Sequence, residues 1–339
     1  MKLRTGLVTL LAIALFAWFL RNSNPAEILR QVRSARIDYL LLALVCVAIP
    51  YWLRAVRWQC LLRPIGPTRF RNVFRATVLG FTALALLPGR VGDVLRPYLI
   101  ARQEGLSLPS TMATIVMERV LDLVAVLSLL AVFVFRVDES SFAPGLLQPI
   151  KVSAMIAAGA AAVLLIMMWV LATHPERIGG LVRTLSRVLP HRMADRLGDL
   201  ASTFSAGFAA ARRPRHLVLA IAWSFPIWIA FSAETWAVSK ALGVDVPWSG
   251  TFLLQAMLVI GVAVPTPGGV GSFHAMYQFG VTTFFGADPQ AAVAAAIVLH
   301  AISFVPISIA GLLVMAHEGI SFGGLRQLSE RPGERGVTP

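Results

Sequence analysis

Cysteine, lysine and acidic residues are all scarce in this sequence of 339 residues. The two cysteines, Cys46 and Cys60, fall in one predicted helix, where their separation corresponds to roughly 21 Å of helical rise. That distance excludes a disulfide between them within the helix. The histidines and cysteines form no His-x-x-x-His or Cys-x-x-Cys pair, so the sequence predicts no metal site and no cofactor.

Charge of either sign is also rare. Only 14% of the residues are charged, whereas 57% are hydrophobic and the mean hydropathy is +0.73. This composition excludes an ordinary soluble domain. The net charge of +13 comes almost entirely from arginine, because lysine occurs only at Lys2, Lys151 and Lys240. The arginines lie between apolar segments and form no continuous basic face, which favours a membrane protein and predicts no nucleic-acid partner.

Long apolar segments dominate the chain. Those with the length of about 20 residues that a transmembrane helix needs cover residues 5–20, 38–62, 109–135, 151–173, 217–241 and 290–316. The first has a basic start but no small-residue cleavage site, so we predict an uncleaved helix and not a signal peptide. The amphipathic stretch from Pro25 to Asp38 is expected to lie along the membrane surface.

Two further apolar segments, residues 72–108 and 251–287, are interrupted in the middle by proline and glycine. The backbone groups that such breaks free must be satisfied by protein or by a water-filled cavity. We therefore predict an all-α integral membrane protein, a polytopic helical bundle with about six full spans plus two oppositely oriented re-entrant hairpins. Two ordinary helix pairs joined by tight turns are the alternative.

The distribution of arginine predicts the orientation of the bundle. The loop 174–216 is rich in arginine and is expected to be cytoplasmic, as is the set at positions 54, 57, 63, 69, 71 and 75. We predict a bacterial inner-membrane protein with both termini in the cytoplasm. Residues 1–320 would form the transmembrane domain and residues 321–339 a disordered cytoplasmic tail.

The two broken segments occupy corresponding positions in the two halves of the chain, which points to a transport site near the middle of the membrane. The first break carries Arg90, Asp93 and Arg96, charges that a plain turn within a membrane would avoid. The second break carries Gly268, Gly269 and Gly271, which would allow a ligand to approach the backbone closely. These residues are therefore candidates for substrate binding.

The third span carries Glu118, Arg119 and Asp122, with the two acids one helical turn apart on one face. Because a guanidinium group is a natural ligand for lipid phosphate, Arg119 joins Arg90 and Arg96 as a candidate for phosphate contact.

The acidic candidates have two possible roles. Asp93, Glu118 and Asp122 would orient the arginines, or bind a cationic head group or a coupling proton. Alternatively, Glu118 and Asp122 only neutralise arginines and hold helices together. Glu234, a lone acid on the fifth span, is a further candidate for the binding site.

Three motifs occur in order along the chain. They run from Gly89 to Leu99 (GRVGDVLRPYL), from Glu118 to Leu123 (ERVLDL) and from Pro265 to His274 (PTPGGVGSFH). Together they resemble the lysylphosphatidylglycerol synthase transmembrane-region family, also called the flippase-like domain family, over nearly the whole chain. The resemblance implies a helical domain with re-entrant hairpins that moves a phospholipid between leaflets. Lysyl transfer is not predicted, because the few polar residues after His317 leave no room for a synthase domain.

We therefore predict a protein that flips or transports a phospholipid or glycolipid. The two hairpins would meet in a polar cavity for the head group, with membrane lipids and a separately encoded lipid-synthesising enzyme as partners. The sequence has no Gly-x-x-x-x-Gly-Lys-Ser/Thr loop, so transport would be passive, driven by a gradient or energised by a partner. The alternatives are a non-transporting partner of an envelope-lipid pathway, or a membrane-embedded enzyme acting on a lipid phosphate. We predict no enzymatic activity.

Overall fold

The computed structural model describes residues 2–21, 23–87, 90–138, 145, 147–186, 191–264 and 266–318. Within these ranges all regular secondary structure is helical. The predicted tail, residues 321–339, lies outside them, as do Pro88, Gly89 and Pro265 of the two breaks. The all-α class predicted from composition and hydropathy is confirmed.

The described part of the chain contains thirteen α-helices. In order they are α1 (Lys2–Leu20), α2 (Pro25–Arg33), α3 (Ile37–Leu62), α4 (Phe70–Leu86), α5 (Val91–Glu104), α6 (Leu108–Arg136), α7 (Gln148–Thr173), α8 (Pro175–Leu185), α9 (His191–Ala206), α10 (Pro214–Ala241), α11 (Gly250–Ala263), α12 (Ser272–Phe285) and α13 (Pro289–His317). The predicted spans correspond to α1, α3, α6, α7, α10 and α13. Of the described helices, α3, α7, α10 and α13 are long and apolar enough to cross a membrane, and the exact number of spans stays a prediction.

Each broken segment forms a helical hairpin. The four helices concerned, α4, α5, α11 and α12, contain 17, 14, 14 and 14 residues. Their rise of roughly 21–26 Å is shorter than the roughly 30 Å of a bilayer's hydrocarbon core. The hairpin helices pack closely, since a Cβ on Gly92 of α5 would lie 1.9 Å from the carbonyl oxygen of Gly80 on α4. In the second hairpin the Ser272 hydroxyl donates to the Gly261 carbonyl at 2.6 Å.

The helix order of α3–α6 is repeated in α10–α13. Each repeat consists of a long helix, a hairpin and a helix of 29 residues. The long helices α3 and α10 pack antiparallel, because the Arg36 N–H donates to the Ala241 carbonyl near one end while Arg57 bonds Ser224 near the other. The two repeats are therefore inverted relative to each other.

The inversion places the hairpin tips together inside the protein. The second hairpin leads directly into the N-terminal end of α13, whereas Arg75 at the base of the first pairs with Glu318, just past the C-terminal end of α13. The two bases therefore lie at opposite ends of α13. At the tips, a Cβ on Gly268 would lie 3.1 Å from the Ala85 carbonyl oxygen. This is the arrangement of oppositely oriented hairpins that the sequence predicted.

The close contact between α4 and α5 leads to a stability prediction. Because a Cβ at position 92 would overlap the α4 backbone, we expect Gly92→Ala to lower the free energy of unfolding by about 1–3 kcal/mol, as overpacking usually does. Thermal unfolding in detergent, followed by tryptophan fluorescence, measures the effect. Gly159→Ala on α7 is the matched control, since nothing lies within 4 Å of a Cβ there. Equal midpoints for the two variants would contradict the observed hairpin packing.

Candidate functional site

A cavity of about 440 Å³ lies where the two hairpin tips meet. Its wall is formed by both hairpins and by the four long helices of the repeats, α3, α6, α10 and α13. Most lining side chains are apolar, including Phe81, Trp228, Phe231 and Phe304. The charged residues on the wall are Arg54, Arg90, Arg119, Asp122 and Glu234. The cavity predicted at the hairpin junction is therefore present, but its wall is largely apolar, with a few charged groups.

Two arginines of α3 enter the core of the bundle. Arg57 is fully buried, and its Nη1 donates to Asp122 Oδ1 at 2.6 Å and to Ser224 Oγ at 2.8 Å. Its Nη2 lies 3.4 Å from Glu118 Oε1, and Arg54 Nη1 lies 3.4 Å from Asp122 Oδ2. These contacts tie α3 to α6 and α10.

Arg54 and Arg57 were predicted to belong to the cytoplasmic flank together with the other arginines, and for these two buried residues that prediction is wrong. Both lie inside the apolar segment 38–62, one helical turn apart. A buried cation in a membrane helix requires an anionic partner, and Asp122 provides it. Their position within the apolar segment was the signal that could have identified them.

Arg96 and Glu118 form a pair behind the cavity wall. Arg96 of α5 is fully buried, its Nη1 lies 3.0 Å from Glu118 Oε2, and its guanidinium carbon lies 4.3 Å from the centre of the Trp58 ring. Neither Arg96 nor Glu118 lines the cavity. The pair holds α5 against α6, which is the packing role considered as an alternative for the acids.

Arg90 and Arg119 are the accessible arginines of the cavity wall. Arg119 Nη2 donates to Asp93 Oδ1 at 2.6 Å, and Arg90 Nε donates to Asp93 Oδ2 at 3.0 Å. Arg119 Nη1 also lies 3.6 Å from Asp122 Oδ2. The two side chains remain 43% (Arg90) and 34% (Arg119) exposed, in contrast to the buried Arg54, Arg57 and Arg96. They can therefore offer N–H groups to a ligand.

Arg90 also has an unusual backbone conformation. It lies just before α5 with a φ of 57°, in the left-handed region that favours glycine. Such a conformation costs a non-glycine residue about 1–3 kcal/mol and is concentrated at functional sites. The turn alone would favour glycine at this position. The presence of arginine is therefore explained by the contacts of its side chain.

The arginines and acids described so far form one connected group, which we call the arginine network. Its members are Arg54, Arg57, Arg90, Arg96, Arg119, Asp93, Glu118 and Asp122. Five guanidinium groups thus share three carboxylates, which leaves a formal excess of two positive charges. In a region of low dielectric constant this excess favours binding of an anion.

Glu234 of α10 contributes a carboxyl to another part of the cavity wall. Its side chain is buried and accepts a hydrogen bond from Ser303 Oγ of α13 at 2.6 Å. Among the described residues, no arginine, lysine or histidine forms an ion pair with it. It is therefore the one acidic candidate that stands outside the arginine network.

The three candidate glycines form the tip of the second hairpin. Gly268 and Gly269 line the cavity with φ values of 58° and 69°, and His300 Nε2 lies 2.9 Å from the Gly268 carbonyl oxygen. Gly271, with a φ of 88°, packs against α1, where a Cβ would lie 2.5 Å from Leu15 Cβ. Only Gly268 and Gly269 could therefore meet a ligand in the cavity.

Helix α10 contributes two residues to the arginine network that were not predicted from the sequence. Trp228 Nε1 donates to Asp122 Oδ1 at 3.1 Å, one helical turn from Ser224, which bonds Arg57. A tryptophan and a serine on an apolar span resemble ordinary membrane-helix residues. Only the packing of α10 against α3 and α6 reveals their role.

The position of Asp122 leads to a second stability prediction. Asp122→Asn keeps the shape of the side chain but removes the charge that Arg54, Arg57 and Arg119 share. We expect a loss of about 3–5 kcal/mol, as when one partner of a buried ion pair is removed. The measurement is the thermal midpoint in detergent. Asp38→Asn is the matched control, because Asp38 and its partner Arg36 are exposed and screened by solvent, so we expect a much smaller shift of the midpoint there. A similar loss in both variants would show that the buried network does not stabilise the bundle.

Comparison with known proteins agrees with the fold. A UPF0104 membrane protein of Methanothermobacter thermautotrophicus is 24% identical over 344 aligned positions, covering 95% of this chain and 97% of that protein. A UPF0104 membrane protein of Pyrococcus horikoshii is 23% identical over 331 positions, covering 91% of this chain and 96% of that protein. Glycosyltransferase AglD of Haloferax volcanii is 23% identical over 324 positions, which cover 87% of this chain but 51% of that protein.

A protein family also matches most of the chain. The family described as the lysylphosphatidylglycerol synthase TM region matches residues 6–311, a range that includes both hairpins, the arginine network and Glu234. The three ordered motifs that suggested the resemblance lie within this range. This chain therefore belongs to the lysylphosphatidylglycerol synthase transmembrane-region family.

Proposed function

We propose that this protein binds the anionic head group of a membrane lipid in the cavity between the hairpin tips and moves it from one leaflet to the other. The observation that carries the proposal is the excess of two positive charges in the arginine network, with Arg90 and Arg119 accessible on the cavity wall. A phosphate group accepts hydrogen bonds from guanidinium groups in a favourable geometry. The lipid tails would remain in the bilayer.

The largely apolar wall supports transport as well as binding. Unassisted flipping is slow because a charged head group loses its hydration in the hydrocarbon core. The two arginines would replace that hydration at one part of the cavity, while the apolar remainder offers few competing polar contacts. A bound head group could then leave without breaking a large number of hydrogen bonds.

The inverted repeats provide a route to both leaflets. Transporters built from inverted repeats alternate between two states in which the site opens to opposite sides. Here the hairpins enter from opposite ends and their tips border the same cavity. We propose that the arginine-rich end, which includes the base of the first hairpin and the C-terminal end of α13, faces the cytoplasm.

We propose a binding and transport role and no catalytic one. The acids that would serve as general acid and base, Glu118 and Asp122, are each held by arginines. The similarity to half of a protein named as a glycosyltransferase favours a role in a membrane-lipid or glycan pathway. A separately encoded enzyme of such a pathway is the partner that we propose.

Arg90 allows function to be separated from stability. We expect Arg90→Gly to leave thermal stability unchanged or to raise it, because glycine adopts a φ of 57° without strain. The same change removes one charge-assisted contact worth about 1.5–3 kcal/mol, so binding and flipping should fall about tenfold or more. Arg119→Gln should have a similar effect on flipping. Arg36→Gln is the control, because Arg36 is exposed and lies outside the cavity.

The measurement uses liposomes containing the purified protein and phosphatidylglycerol labelled with NBD on an acyl chain. Dithionite added outside reduces only the label in the outer leaflet, so the loss of the protected fraction reports flipping. Wild-type protein should remove that fraction, whereas Arg90→Gly and Arg119→Gln should do so about tenfold more slowly. No acceleration by wild-type protein over empty liposomes would overturn the proposal for phosphatidylglycerol-like lipids.

A further inference from the structure

Glu234 occupies the same place in the second repeat that Arg54 occupies in the first. Arg54 precedes the start of α4 by the same number of positions as Glu234 precedes the start of α11. In the same way, Asp122 and Ser303 lie equally far along α6 and α13, counted from the first residue of each helix. The Arg54–Asp122 contact of 3.4 Å in one repeat is therefore matched by the Ser303–Glu234 hydrogen bond of 2.6 Å in the other. Both pairs line the cavity.

The two equivalent contacts differ in charge. In the first repeat a cation meets an anion, and further arginines surround the pair. In the second repeat a carboxyl meets a neutral hydroxyl, and no ion pair to Glu234 is formed by any residue that the structure describes. An ionised carboxylate would be costly there, because it is buried among mostly apolar side chains inside a membrane domain.

The groups around Glu234 do not supply a counterion. The Tyr51 hydroxyl donates to the Ser303 carbonyl at 3.0 Å, and Gln255 donates to Thr235 at 2.7 Å. From α13, His300 contacts the Gly268 carbonyl oxygen. The other titratable or charged side chains that face Glu234 or share the cavity wall with it are Cys46, Arg54, Arg90, Arg119 and Asp122.

These arginines are already engaged by Asp93 and Asp122. The carboxylates of Asp93, Glu118 and Asp122 are in turn held by arginines, so none of them is free to exchange a proton without breaking an ion pair. Glu234 is the carboxyl on the cavity wall that can gain or lose a proton without breaking an ion pair.

We propose that Glu234 is a proton-binding site that couples lipid movement to a proton gradient. The inference rests on the proposed lipid transport and adds its energy source. When the cavity opens to the side with more protons, the carboxyl takes up a proton and the arginines bind a lipid head group. Both cross while the cavity is closed to water, and both are released when it opens to the other side. The cavity then returns without lipid and with the Glu234 carboxylate unprotonated. No bond of the lipid is made or broken.

The inverted repeat gives this arrangement a mechanical basis. Arg54 and Glu234 lie on the antiparallel helices α3 and α10, which pack along their length. A movement of one repeat against the other changes the access of both residues to water at the same time. Loss of the Glu234 proton and release of an anion from the arginine side are therefore coupled through one cavity.

A first experiment tests proton binding without relying on transport. A protonated carboxyl has an infrared carbonyl stretch that is separate from the bands of carboxylates and amides. We expect this band in wild-type protein purified in an ester-free maltoside detergent at neutral pH, its loss at alkaline pH, and its absence from Glu234→Gln. Asp38→Asn, at an exposed acid, should leave the band unchanged. A band of equal strength in Glu234→Gln, or none in wild-type protein, would overturn the proposal.

A second experiment tests coupling in liposomes with the same NBD-labelled phosphatidylglycerol and an imposed pH gradient. With one proton carried per lipid, a gradient of one pH unit corresponds to an about tenfold change in the leaflet ratio. Wild-type protein should approach this change, Glu234→Gln should flip lipid without responding to the gradient, and Glu234→Asp should respond partly. An equal response in wild type and Glu234→Gln would overturn the coupling role.

Two further outcomes distinguish this inference from related ones. If wild-type protein moves no labelled phosphatidylglycerol, the transport proposal fails while the infrared band still decides whether Glu234 carries a proton. If Glu234→Gln loses retention of phosphatidylethanolamine but not of phosphatidylglycerol in native mass spectrometry, Glu234 binds a head-group amine. That result would overturn the proton assignment.

Discussion

The structure depends on the buried carboxylate of Asp122. Its Oδ1 accepts hydrogen bonds from Arg57 at 2.6 Å and from Trp228 at 3.1 Å, and Arg54 and Arg119 lie within ion-pair distance of its Oδ2. Helices α3, α6 and α10 meet at this single group. Two positive charges on α3 would be costly in a membrane bundle without it, so the packing of the first repeat against the second follows from satisfying them.

The same helical framework is used twice with different charges. The first repeat concentrates arginines around its half of the cavity, and the second presents Glu234 and Ser303 at the equivalent positions. Because the repeats are inverted, these two chemically different halves border one cavity instead of lying on separate faces. The proposed anion site and the proposed proton site would therefore share the same movement.

The hairpin tips combine tight packing with strain. Glycines at the second tip allow the backbone of Gly268 to approach Ala85, and Gly271 to approach α1. At the first tip the left-handed position is occupied by Arg90, a residue of the cavity wall whose side chain donates to Asp93. Glycine therefore allows the backbone of the second tip to pack closely without strain. At the first tip, Arg90 adopts the left-handed conformation at an energetic cost, and its guanidinium group lies on the cavity wall.

The sequence by itself determined the helical class, the six long apolar segments, the two broken hairpins and their opposite orientation, because hydropathy and arginine distribution respond directly to the bilayer. It also identified Arg90, Asp93, Arg119 and Glu234 as charges that a membrane helix would not carry without a reason. Only the tertiary structure decided which charges pair. Arg54 and Arg57 lie far from Asp122 in the sequence, and the separation of Arg96 and Glu118 from the cavity follows from helix packing. Partner choice within a bundle depends on distances between helices, and periodicity along one helix contains no information about them.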